Sequence, residues 1–285
     1  MKFGIGTAQF IENYGILKTN INKREFKKII NKFNKKIDLI DTASSYGESE
    51  KFIGNNVNKR YKIITKLGKI KSKRPQFIIN EIKYKLKNSL KNLKSKNIHC
   101  LLIHSESDIK LLNNKKIKNY INILKKEKII RNIGISIYNI SELSNYLKIY
   151  NFDIVQIPLN IFSINNKIIE KLKKLKKKYK FELHVRSIFL QGIIFKNLKN
   201  LPDVVNHLKK KISILHKNSK MYNSTIYNYA ISSIDNLKIA EYAIIGISNN
   251  KDFTKLKKYK KIIIKKTDIE EISKNNKLID LRKLK

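Results

Sequence analysis

The chain alternates short runs of β-branched residues with longer amphipathic segments along nearly all of its 285 residues. Each short run is bounded by turn residues, which is the pattern of buried parallel strands. Strands that alternate with helices indicate an α/β protein with a parallel sheet. Eight runs are predicted to be strands: residues 2–6, 36–40, 61–66, 98–104, 129–136, 152–158, 181–187 and 241–246.

The segments between the strands have the spacing of helices that pack on a sheet. In residues 22–36, for example, Phe26, Ile29, Ile30 and Phe33 recur at intervals of three and four. Such a stripe forms one apolar face, and most of the other positions are Lys or Asn. Lipid-binding helices carry similar stripes, but packing against a sheet is the more ordinary explanation.

The favoured architecture is a single domain, residues 1–285, folded as a closed (β/α)8 TIM barrel. An open doubly wound sheet is the alternative, but a dinucleotide-binding sheet usually carries GxGxxG after its first strand. Here the first strand ends in GIGTAQF, which does not match. Two further helices, about 203–217 and 220–234, are predicted between the seventh and eighth strands. The tail after residue 262 is expected to be a short helix or a loose end.

The formal net charge of +41 suggests a nucleic acid or a membrane as partner. However, only six of the 63 basic residues are Arg, and the Lys residues are spread over every amphipathic segment. Base readout and bidentate phosphate binding favour Arg, so we expect no nucleic-acid partner. A basic barrel that binds RNA or an acidic glycan is kept as an alternative.

The sequence also predicts the compartment. No run reaches the roughly 18 apolar residues of a membrane span, and the first residues, MKFGIGTAQF, lack the features of a signal peptide. The single cysteine, Cys100, rules out an intramolecular disulfide and fits a reducing compartment. We therefore predict a cytoplasmic protein without a membrane partner, in which Cys100 is a buried core residue.

Polar residues stand at the carboxyl ends of the predicted strands, where TIM barrels carry their active sites. Asp41, Lys66 and His104 lie at or beside the ends of three consecutive strands, and Tyr46 follows in the loop after Asp41. Asp41 can neutralise a buried Lys66. A nearby ammonium lowers the pKa of a phenol, so Tyr46 is expected to exchange a proton near neutral pH. His104 can donate a hydrogen bond to a carbonyl oxygen or share the Tyr46 proton. No cluster of metal ligands accompanies these residues, and no metal is expected.

Seven motifs, in their order and spacing, resemble the aldo-keto reductase family: GTAQF, DTASSYGESEKFIG, ITKL, LLIH, IGISIYN, VQIPLNIF and RSIFLQG. They are most similar to the bacterial branch often found near polysaccharide-biosynthesis genes. The resemblance implies a catalytic tetrad of Asp41, Tyr46, Lys66 and His104, in which Lys66 depresses the pKa of Tyr46. It also implies an NAD(P)H-dependent reduction of an aldehyde or ketone, with a sugar-derived carbonyl as the natural small-molecule substrate.

The resemblance further implies contacts with the cofactor. Ser136, Asn139 and Gln156 match the residues that hold the carboxamide. Arg186 is expected to face phosphate or substrate, or to pair with an internal acid such as Glu182. The other implied contacts lie in loops at the barrel mouth: Gly6, Thr7, Ser187, Phe189, Leu190, Gly192, Gly246 and Ser248.

The last cofactor segment departs from the family pattern. Ser248 stands where NADP-preferring relatives often have Arg or Lys, and Thr254 or Lys255 and Leu256 replace residues that usually hold the adenine. NADP(H) is still favoured over NAD(H), because Ser248 can bond a 2′-phosphate and Lys251 or Lys255 can supply positive charge.

Two other expectations follow from the resemblance. The N-terminal hairpin of the family is absent, so side chains such as Phe3 are expected to close the base of the barrel. Gln9, Tyr14 and Asn160 are expected to line the mouth beside Gly6 and Thr7. The alternative function is a non-catalytic barrel that serves as a binding or regulatory subunit.

Overall fold

The strands close into a parallel eight-stranded barrel in chain order. The computed structural model describes residues 1–18, 21–32, 35–58 and 60–274. All eight predicted strands are confirmed, with ends that shift by at most two residues, and so is the TIM-barrel class. The strands are β1 Lys2–Gly6, β2 Ile37–Asp41, β3 Lys62–Leu67, β4 Ile98–Ile103, β5 Ile130–Ser136, β6 Ile154–Pro158, β7 Glu182–Arg186 and β8 Tyr242–Gly246.

Helices follow the strands and form the outer layer. They are α1 Lys23–Ile30, α2 Ser49–Asn56, α3 Pro75–Asn92, α4 Lys115–Lys126, α5 Leu143–Ile149, α6 Asn166–Tyr179, α7 Lys209–Met221, α8 Ile226–Asp235, α9 Asn250–Lys257 and α10 Lys266–Ser273. Short 3-10 turns fill several of the loops, including Asp203–Leu208 directly before α7. Within the described ranges, no helix is both long enough and apolar enough to span a bilayer.

Helix α1 illustrates how the local sequence sets these elements. Its first turn is capped by Asn22, whose side chain accepts a hydrogen bond from the backbone N–H of Glu25. Phe26, Ile29 and Ile30 are all fully buried against the barrel, as their spacing predicts. Phe33, the fourth residue of the predicted stripe, lies outside the described residues, as does the chain after residue 274.

The predicted start of the second inserted helix is wrong. Residue 220 belongs to α7, and α8 begins only at Ile226. Asn223 has a left-handed φ of 46° and breaks the helical path between them. Thr225 then caps α8, since its side chain accepts a hydrogen bond from the backbone N–H of Asn228. The tail after residue 262 was expected to be a short helix or a loose end, and it contains the short helix α10.

The barrel interior has its own apolar core, separate from the layer between strands and helices. Its members are Leu39, Ile64, Cys100, Leu102, Ile154, Tyr242 and Ile244. Cys100 is fully buried there with a free thiol, as predicted. This packed plug fills the middle of the barrel, so the polar strand ends on one side are separated from the base on the other.

The base of the barrel is closed differently from the prediction. Phe3 is buried, but its ring packs edge-on against Tyr259 at 5.4 Å; the interior is filled instead by Tyr242. The hydroxyl of Tyr242 donates to Asp38 Oδ1 at 2.9 Å and accepts from Lys62 Nζ at 3.1 Å. A shallow cavity of about 750 Å³ opens beneath this network and is lined largely by Lys residues and their acidic partners.

Helices α2 and α3 approach each other at Gly54, and this contact yields a stability prediction. A β-carbon at Gly54 would lie 2.1 Å from the carbonyl oxygen of Asn92, which is backbone and cannot rotate away. We expect Gly54→Ala to lower the free energy of unfolding by about 1–3 kcal/mol, despite the higher helix propensity of Ala. Thermal unfolding followed by circular dichroism measures the change.

Gly68→Ala is the matched control for this prediction. A β-carbon there would have its closest contacts at 3.4 Å and 3.9 Å, both with side-chain atoms. We expect its melting temperature to stay close to that of the parent protein. Equal melting temperatures for the two variants would contradict the close approach at Gly54.

Candidate active site

A cavity of about 360 Å³ lies at the carboxyl ends of the strands. Loops after β1, β2, β4, β5, β7 and β8 form its wall, and the parallel register brings these ends to one rim. The structure thus collects at one site residues that are far apart in sequence. The predicted site residues in the wall are Gly6, Thr7, Asp41, Tyr46, His104, Ser136, Arg186, Ser187, Phe189, Gly192, Gly246 and Ser248.

A buried ion pair lies under the cavity floor. Lys66 Nζ donates to Asp41 Oδ1 at 2.5 Å and to the carbonyl oxygen of Thr42 at 2.9 Å. The Lys66 side chain is 1% exposed and that of Asp41 is 5% exposed. Burial lowers the pKa of Lys66, and the Asp41 carboxylate opposes that shift. An ammonium without a counter-charge would be costly at such a position, so Asp41 is what allows Lys66 to be there.

Gln156 completes the surroundings of Asp41 and does not reach the cavity wall. The fully buried Gln156 donates from Nε2 to Asp41 Oδ2 at 2.8 Å. Its own Oε1 accepts from Ser136 Oγ at 3.4 Å. The predicted role for Gln156 was a contact with the cofactor carboxamide. In this structure its amide instead satisfies the second oxygen of a buried carboxylate, which needs a donor.

Tyr46 stands above this pair with His104 beside it. Lys66 Nζ lies over the Tyr46 ring, 5.0 Å from its centroid. The rings of Tyr46 and His104 meet edge to face with centroids 6.1 Å apart. Both side chains are partly exposed to the cavity. The four residues predicted as a tetrad therefore meet in one place, with the phenol and the imidazole facing the open side.

The pKa of Tyr46 shifts in the direction opposite to the prediction. Burial raises the pKa of its phenol, the Asp41 carboxylate raises it further, and the Arg186 guanidinium lowers it. The Lys66 ammonium lies over the ring and is paired with Asp41, and the net shift of the Tyr46 pKa is upward. Tyr46 is therefore held as the neutral, protonated phenol.

The loop after β7 forms one side of the cavity, and several of its residues have left-handed backbone angles. Ser187, Leu190, Gln191 and Gly192 have left-handed φ values of 61°, 46°, 56° and 90°. Residues in this region cost conformational energy and concentrate at ligand sites. Gln191 also reaches across the mouth, where its Oε1 accepts from the backbone N–H of Ile16 at 2.9 Å. The loop thereby joins the loop after β1 over the cavity.

Besides Gln156, two more residues predicted as cofactor contacts lie outside the wall. Leu190 is fully buried and points into the hydrophobic core. Asn139 is exposed, and its side chain caps a 3-10 turn by accepting from the backbone N–H of Ser141 at 3.1 Å. Tyr138, its neighbour, takes the place in the wall. Asn160 is fully buried and caps another turn, whereas Gln9 and Tyr14 line the cavity as expected.

Arg186 faces the cavity and has no contact with Glu182. Its guanidinium carbon lies 4.0 Å from the centroid of the Tyr138 ring. One guanidinium nitrogen donates to the carbonyl oxygen of Ile137 at 3.3 Å. Glu182 is exposed at the opposite end of β7, where it contacts His184. The predicted alternative of a Glu182–Arg186 pair is therefore wrong, and the contact of Arg186 with phosphate or substrate stays a prediction.

The cavity wall also contains residues that the sequence did not single out. Phe195 and Tyr227 line it with the predicted Phe189, and Asp252 lies beside Ser248. Phe195 and Tyr227 belong to the segment between β7 and β8, where no strand end marks a functional position. A signal for Asp252 was present, since it is an acidic residue in the first turn of the helix that follows the last strand.

The wall fits a nicotinamide dinucleotide. Two buried polar atoms on it, Gln9 Oε1 and Tyr227 Oη, have no hydrogen-bond partner among the described residues. Such atoms usually find a partner, and a polar ligand would supply one. The cavity is lined both by polar groups such as Tyr46 and His104 and by aromatic rings such as Phe195, and a nicotinamide dinucleotide has groups that suit both. In the described part of the chain, no group of three or more His, Cys, Asp or Glu residues could hold a metal ion.

Comparisons with known proteins agree with this architecture. The model of the aldo/keto reductase family matches residues 2–280. No curated protein sequence matches the chain.

Several solved structures share the fold. The holo form of aldo-keto reductase AKR11C1 from Bacillus halodurans has a TM-score of 0.75 and 17% identity, covering 96% of this chain and 93% of that one. Glycerol dehydrogenase AKR11B4 from Gluconobacter oxydans has a TM-score of 0.71 and 17% identity, covering 98% and 93%. Aldose reductase from Schistosoma japonicum has a TM-score of 0.65 and 14% identity, covering 96% and 87%. At these identities the likeness is one of fold.

Proposed function

Because the chain belongs to the aldo/keto reductase family, we propose that it is an NAD(P)H-dependent oxidoreductase that reduces an aldehyde or ketone to an alcohol. The observation that carries the proposal is the meeting of Tyr46, His104, Lys66 and Asp41 at one cavity. A sugar-derived carbonyl is the proposed substrate class, in keeping with the bacterial branch that the motifs resemble.

Tyr46 is the proposed proton donor. A nicotinamide cofactor, when bound, supplies the hydride to the carbonyl carbon. The Tyr46 Oη gives its proton to the carbonyl oxygen as negative charge develops there, which is general acid catalysis. The raised pKa of Tyr46 keeps its phenol protonated before the reaction, so the proton is transferred only when negative charge develops on the carbonyl oxygen. His104, edge-on to the Tyr46 ring, donates a hydrogen bond to the same oxygen and orients it.

Lys66 and Asp41 are positioning residues in this proposal. The ammonium beneath the Tyr46 ring stabilises the phenolate that is left after proton transfer. Asp41 holds the ammonium in place, and Gln156 holds Asp41. The chain of three contacts fixes Tyr46 over a rigid floor, so little reorganisation accompanies the transfer.

The residues proposed to hold the cofactor surround the rest of the cavity. Ser136 and Gln9 offer polar groups in the wall, and the strained loop after β7 offers Ser187, Gln191 and Gly192. Successive backbone N–H groups in mixed right- and left-handed conformations form anion-binding concavities. That loop therefore suits a pyrophosphate.

Titration of the purified protein with NADH and NADPH tests the proposal, at two salt concentrations, with nucleotide fluorescence as the signal. We expect at least one nucleotide to bind with an affinity that changes little with salt. A panel of sugar aldehydes and ketones should then reveal turnover. Binding without turnover of any carbonyl would favour the non-catalytic subunit, and the absence of binding would contradict a nicotinamide enzyme.

The raised pKa of Tyr46 gives a prediction for the pH profile. Reduction requires the protonated phenol, so kcat/KM for the carbonyl should stay level from about pH 6 to about pH 9, below the ordinary phenol pKa of about 10. Oxidation of the alcohol requires the deprotonated phenol and should accelerate over the same range. A reduction rate that falls with a midpoint near pH 7 would mean that Lys66 depresses the pKa of Tyr46 below the ordinary phenol value after all.

A further inference from the structure

An aromatic cluster of Phe189, Phe195 and Tyr227 lines part of the cavity. Phe189 lies 5.1 Å from Phe195 and 4.7 Å from Tyr227, measured between ring centroids. Phe195 and Tyr227 are nearly parallel, with an interplanar angle of 17°. Phe195 is 43% exposed and lines the cavity, so its ring is open to a ligand there. Planar aromatic faces of this kind bind nucleobases by stacking.

Two α9 residues that stand where the family usually contacts the adenine, Thr254 and Leu256, are engaged in other contacts. The hydroxyl of Thr254 donates to the carbonyl oxygen of Asn250 at 2.9 Å. Leu256 is 2% exposed and belongs to the core. The aromatic cluster therefore offers the adenine a surface that Thr254 and Leu256 do not provide.

A carboxylate is fixed beside this cluster. Asp252 Oδ2 accepts from the backbone N–H of Ser248 at 3.2 Å. The backbone N–H of Asp252 donates to Asn249 Oδ1 at 3.0 Å, so the residue is held at both its backbone and its side chain. Burial and the charge of Asp252 together raise the pKa of Tyr227. Asp252 and Tyr227 line the same cavity, and the Tyr227 hydroxyl has no hydrogen-bond partner among the described residues.

The position of this carboxylate determines which dinucleotide fits. A carboxylate accepts hydrogen bonds from a ribose 2′-hydroxyl, which is how many dinucleotide sites recognise NAD. A 2′-phosphate brings close to two negative charges and would face a fixed carboxylate of the same sign. Lys255 lines the same wall three residues after Asp252, so the Asp252 carboxylate offsets the charge of that ammonium.

We propose that the aromatic cluster and Asp252 hold the adenosine half of the cofactor, and that Asp252 selects NAD(H) over NADP(H). This inference rests on the proposed function as a nicotinamide oxidoreductase. It replaces the expectation that Ser248 and its neighbouring Lys residues favour NADP(H), because Ser248 presents its backbone N–H to Asp252 and Asp252 supplies the opposite charge.

Nucleotide binding without turnover tests the selection. We expect the parent protein to bind NADH at least about tenfold more tightly than NADPH, which is about 1.4 kcal/mol. Asp252→Asn should reduce the ratio of the two affinities, mainly because the variant binds NADPH more tightly than the parent does. Asp203→Asn is the matched control, because it removes the same charge from an exposed turn outside the cavity and should leave the ratio unchanged.

Adenosine fragments isolate this part of the cavity from the catalytic residues. Displacement of bound NADH by 5′-AMP and by 2′,5′-ADP should favour 5′-AMP in the parent and lose that preference in Asp252→Asn. Phe195→Ala should weaken 5′-AMP at least about fivefold, as loss of base stacking does.

The possible failures are distinguishable. NADPH binding at least as tightly as NADH, or an unchanged ratio in Asp252→Asn, would overturn the selection by Asp252 and leave the proposed function standing. Unchanged 5′-AMP binding in Phe195→Ala would overturn the aromatic adenine site. Failure of both dinucleotides to bind would overturn the inference and the proposed function together.

Discussion

Tyr46→Phe is expected to reduce carbonyl turnover by about 10²–10⁴-fold, the usual contribution of a general acid. The substitution removes only the Oη that donates the proton. It keeps the ring that lies over Lys66 and beside His104. Cofactor affinity should therefore be nearly unchanged. Steady-state kcat with a reactive aldehyde and a parallel nucleotide titration measure the two quantities.

Tyr138→Phe is the matched control for this variant. Tyr138 lines the same cavity, and its ring stacks with Arg186, a contact that Phe retains. We expect that variant to keep most of its turnover. If Tyr46→Phe also kept most of its turnover, the proton would have to come from another group, with His104 as the next candidate. If both variants lost activity equally, the effect would lie in the shape of the cavity.

The barrel and the core of its site could be predicted from the sequence for a geometric reason. In a parallel barrel every strand ends at the same rim, so three consecutive strand ends carrying Asp41, Lys66 and His104 had to become neighbours. The register agrees with this. Asp41 pairs with Ile64, two residues before Lys66, and Lys66 pairs with Leu102, two residues before His104. Tyr46 joins them because only a short turn separates it from Asp41.

The partners of individual polar groups could not be read in the same way. Gln156 and Asn139 both follow the strand-end pattern, yet Gln156 bonds to Asp41 and Asn139 caps a turn. These outcomes depend on which donor or acceptor lies nearest in three dimensions. The pKa of Tyr46 is a similar case, since the sequence predicts a nearby ammonium but neither the depth of burial nor the pairing of that ammonium with Asp41.

The aromatic residues of the cavity wall could not be predicted from the sequence for another reason. Phe195 and Tyr227 lie in the long segment between β7 and β8, where their spacing resembles that of ordinary core residues. Only the packing of α8 against the loop after β7 brings both rings to the cavity. Inserted segments can therefore add binding residues that a strand-end rule does not locate.

Lys66→Met is expected to lower the free energy of unfolding by about 3–5 kcal/mol, the usual cost of breaking a buried ion pair from one side. The variant leaves the Asp41 carboxylate buried and charged, and the Gln156 amide still donates to it. Met fills much of the volume of Lys, so the cost is mainly electrostatic. Urea unfolding followed by circular dichroism gives the change.

The double variant Asp41→Asn with Lys66→Met separates charge from packing. It removes both charges and keeps an oxygen that can accept from Gln156, so most of the lost stability should return. The coupling energy of the two substitutions should be large, since residues in one buried network are not additive. Turnover should stay low in the double variant, because the ammonium that stabilises the Tyr46 phenolate is still missing. A double variant no more stable than Lys66→Met would show that Lys66 acts through its packing. Restored turnover without restored charge would contradict the role proposed for its ammonium.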